Sequence, residues 1–251
     1  MQVIINMQGQ TYHIDLSKPL DISIPLHDGY HQANAFYAPF LQIEAVRSGD
    51  FIGDTSKGGP VNFKNVMLNP HGNGTHTECV GHIAKEVVVL TDCLKQFFYK
   101  ALLITLYPTL SDNGDKIINS SHLELLAGDI EDDVNALIIR TLPNTSDKLK
   151  QHYSGTNPTY MDANAAQWLV DHHIQHLLID LPSIDREEDG GRLAAHHNFW
   201  EYPHNTRYNA TITEMIYVPN EIKDGYYFLQ MQITSLQLDA SPSMPLLYAI
   251  H

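Results

Sequence analysis

The stretch His71-Gly72-Asn73-Gly74-Thr75-His76-Thr77-Glu78-Cys79-Val80-Gly81-His82 sets three imidazoles and a carboxylate side by side, with Gly72 and Gly74 among them. Imidazole and carboxylate are the ligand types that Zn²⁺ and Mn²⁺ accept. Neutral imidazole is also the usual general acid or base near pH 7. Glycine lets the backbone approach an ion or substrate closely and take up positive φ. A polar turn can hold the same residues by accident, so the weight of the motif rests on what accompanies it.

A second cluster follows much later, in Leu193-Ala194-Ala195-His196-His197-Asn198-Phe199-Trp200-Glu201. It comes after the apolar run Leu177-Leu178-Ile179-Asp180 and the loop Pro182-Ser183-Ile184-Asp185. Functional residues on loops after strands are the common α/β arrangement. A third element is Glu214, inside the mostly apolar, β-branched segment Ala210 to Val218. A carboxylate there is costly unless it is paired or coordinated. Arg207 or Arg192 is the simple partner, a metal the functional one.

Around these clusters the chain reads as one α/β domain over residues 1–251. Met1 to Ile14 forms a strand or hairpin turning at Asn6 to Gly9, and Ile22 to Leu26 a short strand. Residues 27–60 lack regular pattern and suit a lid or binding loop. Val61 to Leu68 reads as a strand feeding the histidine motif. Lys100 to Tyr107, Asn135 to Thr141 and His176 to Leu181 are short continuous apolar runs, expected as buried strands. Ser121 to Ala127, capped by Ser120 or Ser121, and Asp162 to His173 read as helices, the second with Ala165, Trp168 and Leu169 inward. Tyr226 to Leu238 reads as a long strand and Pro245 to Ile250 as a terminal one. Strands and helices alternate in the middle and strands dominate both ends, so the sheet is expected to be mixed.

Composition narrows the function. Fifteen basic against 29 acidic residues give a formal charge of −14. That disfavours nucleic acid or an anionic membrane as partner and leaves a small-molecule substrate. No apolar run is long enough for a membrane helix, and the N-terminus has no signal-peptide pattern. Two cysteines, Cys79 and Cys93, build no disulfide framework, which suits a reducing, cytoplasmic setting.

Taken together, Gly74-Thr75-His76-x-Glu78-x-x-x-His82, Ile179-Asp180-x-Pro182-Ser183-x-Asp185, His196-x-x-Phe199-Trp200 and Thr213-Glu214-Met215 resemble the cyclase family. This is the family of bacterial kynurenine formamidases and isatin hydrolases. Asp15-Leu16-Ser17-x-Pro19-Leu20 resembles the family's opening segment. The resemblance implies a swivelling β/α fold and metal-dependent hydrolysis of an amide, either an arylformamide such as N-formylkynurenine or a cyclic amide. It implies one or two Zn²⁺ or Mn²⁺ ions held by His76, Glu78, His196 and Glu214, with His197 as the alternative to His196. His82 would be the acid/base. Asp180 and Asp185 are candidates to support the ligands from outside. A homo-oligomer is also implied.

The sequence departs from the family pattern at three places. Glu78 stands where the family has mainly Asp, and Val80 stands at the Pro position. The first family histidine belongs two residues before Gly74, where this chain has Gly72. His71 reaches the metal only if a bulge at Gly72-Asn73 absorbs the extra residue; otherwise Asn73 or water takes its place. Tyr30, Phe36, Tyr37 and Phe40 are candidates for an aryl-substrate pocket. No Gly-x-Ser-x-Gly elbow is present. Cys79 as a nucleophile is outweighed by its reading as a small buried residue. Two competing readings are a non-catalytic metal- or small-molecule-binding protein and a structural metal site. The latter normally recruits more cysteine.

Overall fold

The computed structural model describes residues 1–7 and 9–250. A nine-stranded mixed sheet organises the chain. In chain order its strands are Leu20–Asp21 (β1), His76–Glu78 (β2), Phe98–Leu106 (β3), Ala136–Thr141 (β4), His176–Ile179 (β5), Thr211–Glu214 (β6), Gly225–Gln230 (β7), Ala240–Pro242 (β8) and Leu246–Ala249 (β9). Across the sheet they run β8-β2-β6-β5-β4-β3-β7-β9-β1. The four strands β6, β5, β4 and β3 are mutually parallel, and every other pairing is antiparallel. This is the mixed α/β sheet expected from the alternation of elements.

The parallel strands need crossovers, and three helices supply them: Ser120–Ala127 (α1), Ala163–Asp171 (α2) and Ala194–Trp200 (α3). Alternation along the strands sends side chains to two buried faces. Leu102, Ile104, Leu137, Ile139, Leu177 and Ile179 pack against all three helices. Leu103, Ile138 and Leu178 face the other way, onto a core with Ile22, Leu90, Ile216 and Leu229. Burial on both faces explains why these segments read as unbroken apolar runs rather than alternating ones.

Asp162 caps α2 as expected, accepting from the Ala165 amide at 2.7 Å. At α1 the cap is Asn119 rather than Ser120 or Ser121. Its side chain accepts from the His122 amide at 3.3 Å, and the His122 ring accepts from the Asn119 amide at 3.1 Å. Such a reciprocal pair satisfies two otherwise orphaned donors.

Among the strand expectations the first hairpin holds and three others change. The first hairpin pairs Gln2–Met7 with Gln10–Asp15; Gln8, inside its expected turn, lies outside the described residues. Ile22 to Leu26 is extended but makes no ladder, because its backbone is taken by separate partners. The Ile22 amide donates to Pro245 O, and the Ile24 amide to Thr75 Oγ1 at 2.8 Å. The strand from Tyr226 stops at Gln230, where Met231 turns its amide to Phe97 O. Val61 to Leu68 shortens to Lys64–Met67, which pairs with Gln42–Ala45 as an exposed two-stranded sheet apart from the main one. No helix among the described residues is long and apolar enough to cross a membrane.

Candidate metal centre

The centre is built where β2 meets β6. These strands are antiparallel, with His76 opposite Glu214. Residues two apart on a strand share a face, and so do cross-strand partners. His76, Glu78 and Glu214 therefore converge, while Thr77 points to the other face and meets Thr213 Oγ1 at 2.8 Å. His76 Nε2 lies 3.4 Å from Glu214 Oε2. The ring is fixed from behind, since Nδ1 donates to Gly74 O at 3.0 Å. A carbonyl only accepts, so the neutral ring leaves the Nε2 lone pair facing the cluster. That nitrogen is buried and has no hydrogen-bond partner. Gly74 makes the turn with φ of 100°, and the Thr75 hydroxyl ties it to β6 by donating to Met215 O.

α3 brings His196. Asp185 accepts from the Ala195 amide at 2.8 Å and the His196 amide at 3.0 Å, capping the helix start. The same carboxylate holds His196 Nδ1 at 2.6 Å. That bond sends Nε2 toward Glu78 Oε1, 3.2 Å away, and Glu214 Oε1, 3.8 Å away. Carboxylates behind ligand histidines fix ring orientation in this manner. Glu214 Oε1 also accepts from the Ile184 amide at 3.0 Å. Glu78 sits centrally, between His196 and His71, whose Nδ1 is 3.0 Å from its Oε2. His82 Nδ1 lies 3.7 Å from Glu78 Oε2. Asp239, next to β8, completes the cluster: its Oδ2 is 2.9 Å from His71 Nε2 and 3.7 Å from His82 Nδ1.

The structure thus brings His71, His76, Glu78, His82, His196 and Glu214 into one cluster. His197 is not part of it; its Nδ1 pairs with Tyr202 O at 3.0 Å. Asn73 also faces elsewhere, accepting from the Asn69 amide at 2.7 Å and donating to Pro39 O at 3.0 Å. The extra residue is absorbed without positive φ at Gly72 or Asn73. Gly72 is required for space instead, because a Cβ there would stand 2.3 Å from that of Ala38. Asp180 serves the sheet, accepting from the Thr141 amide at 2.8 Å and from Lys148 at 2.7 Å. Neither arginine pairs with Glu214: Arg207 donates to Phe199 O and Ile174 O, and Arg192 to Asp189 O. Cys79 is fully buried in the core on the far face of the sheet. There a hydrogen bond donated to Cys93, then burial, pushes its thiol pKa up.

A cleft of about 720 Å³ opens over the cluster, lined by Phe36, His71, His82, Ser183, Arg186 and Leu193. Of the four aromatics expected to bind substrate, Phe36 lines it and Tyr30, Tyr37 and Phe40 do not. Tyr30 packs edge-on against Phe40 and His152, with ring centroids 5.2 and 4.2 Å away. Tyr37 is 76% exposed and anchored through its amide to Ser154 Oγ. Phe36 and Tyr37 both have positive φ, 57° and 52°. That reverses the chain between them, so one ring faces the cleft and the next faces outward. Asp239 was invisible in the sequence. Its only signal is a charge between Leu238 and Ala240 at the end of an apolar segment, and irregular backbone carries it to the site.

The charges of the cluster are interdependent. Burial opposes charge on His71, but its hydrogen bond to Asp239 and the neighbouring Glu78 carboxylate outweigh this and raise its pKa to about 10. Burial likewise opposes charge on His196, which Asp185, Glu78 and Glu214 overcome, again to about 10. Burial would raise the Glu78 pKa, yet His82, His196 and His71 hold it well below the carboxylate range. A ligand imidazole must be neutral. The raised pKa values stabilise the fold below pH 6.5, and that contribution is lost as pH rises through 10. Metal binding runs the opposite way. At pH 8 loading with Zn²⁺ is expected to release roughly one to two protons, and affinity should rise from pH 6.5 to 10. Calorimetry in buffers of different ionisation enthalpy reads the proton count directly, and a count of zero would contradict the assignment of both rings as ligands.

Residues 14–186 match the family model for the cyclases. The chain belongs to the cyclase family. No curated protein sequence matches it. Several solved structures share the fold. One, described as a potential metal-dependent hydrolase with cyclase activity, has a TM-score of 0.64 at 19% identity, over 92% of this chain and 97% of the other. An isatin hydrolase bound to the product analogue thioisatinate gives 0.66 at 16% identity, over 93% of each chain. Isatin hydrolase A from Ralstonia solanacearum gives 0.68 at 13% identity, over 92% of each.

Proposed function

We propose that this chain is a metal-dependent hydrolase that cleaves an amide, either an arylformamide such as N-formylkynurenine or the lactam of a cyclic amide such as isatin. The observation that carries the reading is His76 Nε2, a buried lone pair without a hydrogen-bond partner, 3.4 Å from Glu214 Oε2 and grouped with donor atoms of His71 and Glu78. An unpaired buried acceptor costs stability unless something occupies the space it faces. His76, Glu78, His196 and Glu214 would hold Zn²⁺ or Mn²⁺, with His71 as a further donor. Glu78 reaches toward His196 with one oxygen and His71 with the other, so it would offer a donor beside either ring. A divalent ion there supplies the Lewis acidity that makes water nucleophilic near neutral pH.

The chain's own groups do the rest. His82 stands at the cleft wall, 3.7 Å from both Glu78 and Asp239, beyond hydrogen-bond range of either. Its Nδ1 is placed to take a proton from the attacking water and pass it to the leaving nitrogen. Asp185 keeps His196 from rotating, and Phe36 offers an aryl substrate an apolar face beside the cluster. The solved structure with bound thioisatinate supports a cyclic-amide substrate for a cleft of this kind. A panel of N-formyl arylamines, cyclic imides, lactams and lactones, offered to protein loaded with Zn²⁺ or Mn²⁺, tests the proposal. Turnover is expected within the amide members. Stoichiometric metal without turnover of any member would favour a binding protein.

A further inference from the structure

His71 lies on irregular backbone three residues before Gly74, and its ring enters the cluster. It stands 5.4 Å from the His76 ring and 4.5 Å from the His82 ring, centroid to centroid. The two ring nitrogens are engaged differently. Nε2 makes a well-formed hydrogen bond to Asp239 Oδ2 at 2.9 Å. Nδ1 lies 3.0 Å from Glu78 Oε2 but makes no aligned hydrogen bond, and that oxygen is buried without one. A carboxylate accepts only, so Asp239 takes an N–H from Nε2, and in the neutral ring the lone pair falls on Nδ1.

Asp239 is itself held firmly. Its carbonyl accepts from the Cys79 amide at 3.0 Å, and the next residue, Ala240, pairs with Glu78 across β8 and β2. Gly81 leaves room for it, since a Cβ there would stand 2.9 Å from that of Asp239. The segment presenting the carboxylate is thus tied to the strand that presents Glu78.

We propose that Asp239 is a positioning residue for His71: it fixes Nε2 and so commits Nδ1 to the metal, on the side where Glu78 stands. This rests on the metal-centre reading above. It makes the site symmetric in design, with Asp239 behind His71 as Asp185 stands behind His196. Outer carboxylates of this kind typically contribute ten- to a hundredfold to metal affinity.

A double-mutant cycle on metal affinity tests it, using Zn²⁺ competition against a chromophoric chelator and the visible spectrum of the Co²⁺-loaded protein. Asp239→Ala is expected to weaken Zn²⁺ binding by about ten- to a hundredfold. His71→Ala should weaken it by about as much or more. The double variant should be no worse than His71→Ala alone, because Asp239 acts only through that ring. Asp239→Asn keeps an oxygen that can accept from Nε2, so it should recover most of the affinity and the wild-type Co²⁺ spectrum. Thermal melts of all four proteins separate lost affinity from lost fold. Additive effects of the two alanine substitutions would overturn the proposal, since Asp239 would then act independently, for instance as a ligand beside His82. So would unchanged affinity in a folded Asp239→Ala. Failure of the wild-type protein to bind Zn²⁺, Mn²⁺ or Co²⁺ would overturn the metal-centre reading along with it.

Discussion

His76→Ala and Glu214→Ala should each strip the protein of bound divalent metal while leaving it folded. The two side chains face each other across β2 and β6, both buried, with His76 Nε2 3.4 Å from Glu214 Oε2. Neither has an arginine or lysine partner to account for its placement, and the cost of holding them there in isolation is high. Each variant should lower affinity by more than the roughly ten- to hundredfold that loss of an outer partner costs, since a ligand itself is gone. His76→Ala also loses the bond to Gly74 O and Glu214→Ala the one from the Ile184 amide, so thermal melts of both variants separate lost metal from lost fold. Elemental analysis of purified protein measures the effect. Full occupancy in both variants would end the assignment.

His82→Ala should behave in the opposite way. It should keep its metal and lose about two to four orders of magnitude in turnover, the range for a general acid/base. The separation follows from position. His82 lies at the rim, on the short helical turn Val80–His82, with its ring in the cleft and no carboxylate within hydrogen-bond range. His76, Glu78, His196 and Glu214 lie deeper. Single-turnover rates alongside metal content would distinguish the roles. Lost metal in His82→Ala would move this ring into the ligand set with His71 and Asp239, whose donor atoms form a compact three-residue group with it.

The parts of the fold legible in the sequence are those whose physics is local. β3, β4 and β5 were marked by continuous apolar runs because both of their faces are buried, and α2 by its inward stripe and its Asp162 cap. The strands that hold the centre were not. β2 and β8 have three residues each, and β2 spends its side chains on the site, so neither alternation nor an apolar run remains to be read. The ligand candidates in contiguous motifs were visible because spacing along the chain equals spacing on a strand or helix face. Asp239 was not, because irregular backbone brings it to Glu78 from outside any motif. The aromatic segment misled for a related reason: residues 30–40 have no period, and successive positive φ values at Phe36 and Tyr37 send neighbouring rings to opposite sides. Tyr30 was drawn off to Phe40 and His152 instead.

Metal dependence of amide hydrolysis tests the central claim most directly. Protein stripped with a chelator and then reconstituted with Zn²⁺ or Mn²⁺ should be assayed against isatin and N-formylkynurenine before stripping, after stripping and after add-back. The account predicts turnover of at least one of these amides in the loaded protein, its loss on stripping, and its return in proportion to metal restored. Turnover that survives complete removal of metal, or metal restored to full occupancy with no hydrolysis of either amide, would contradict it.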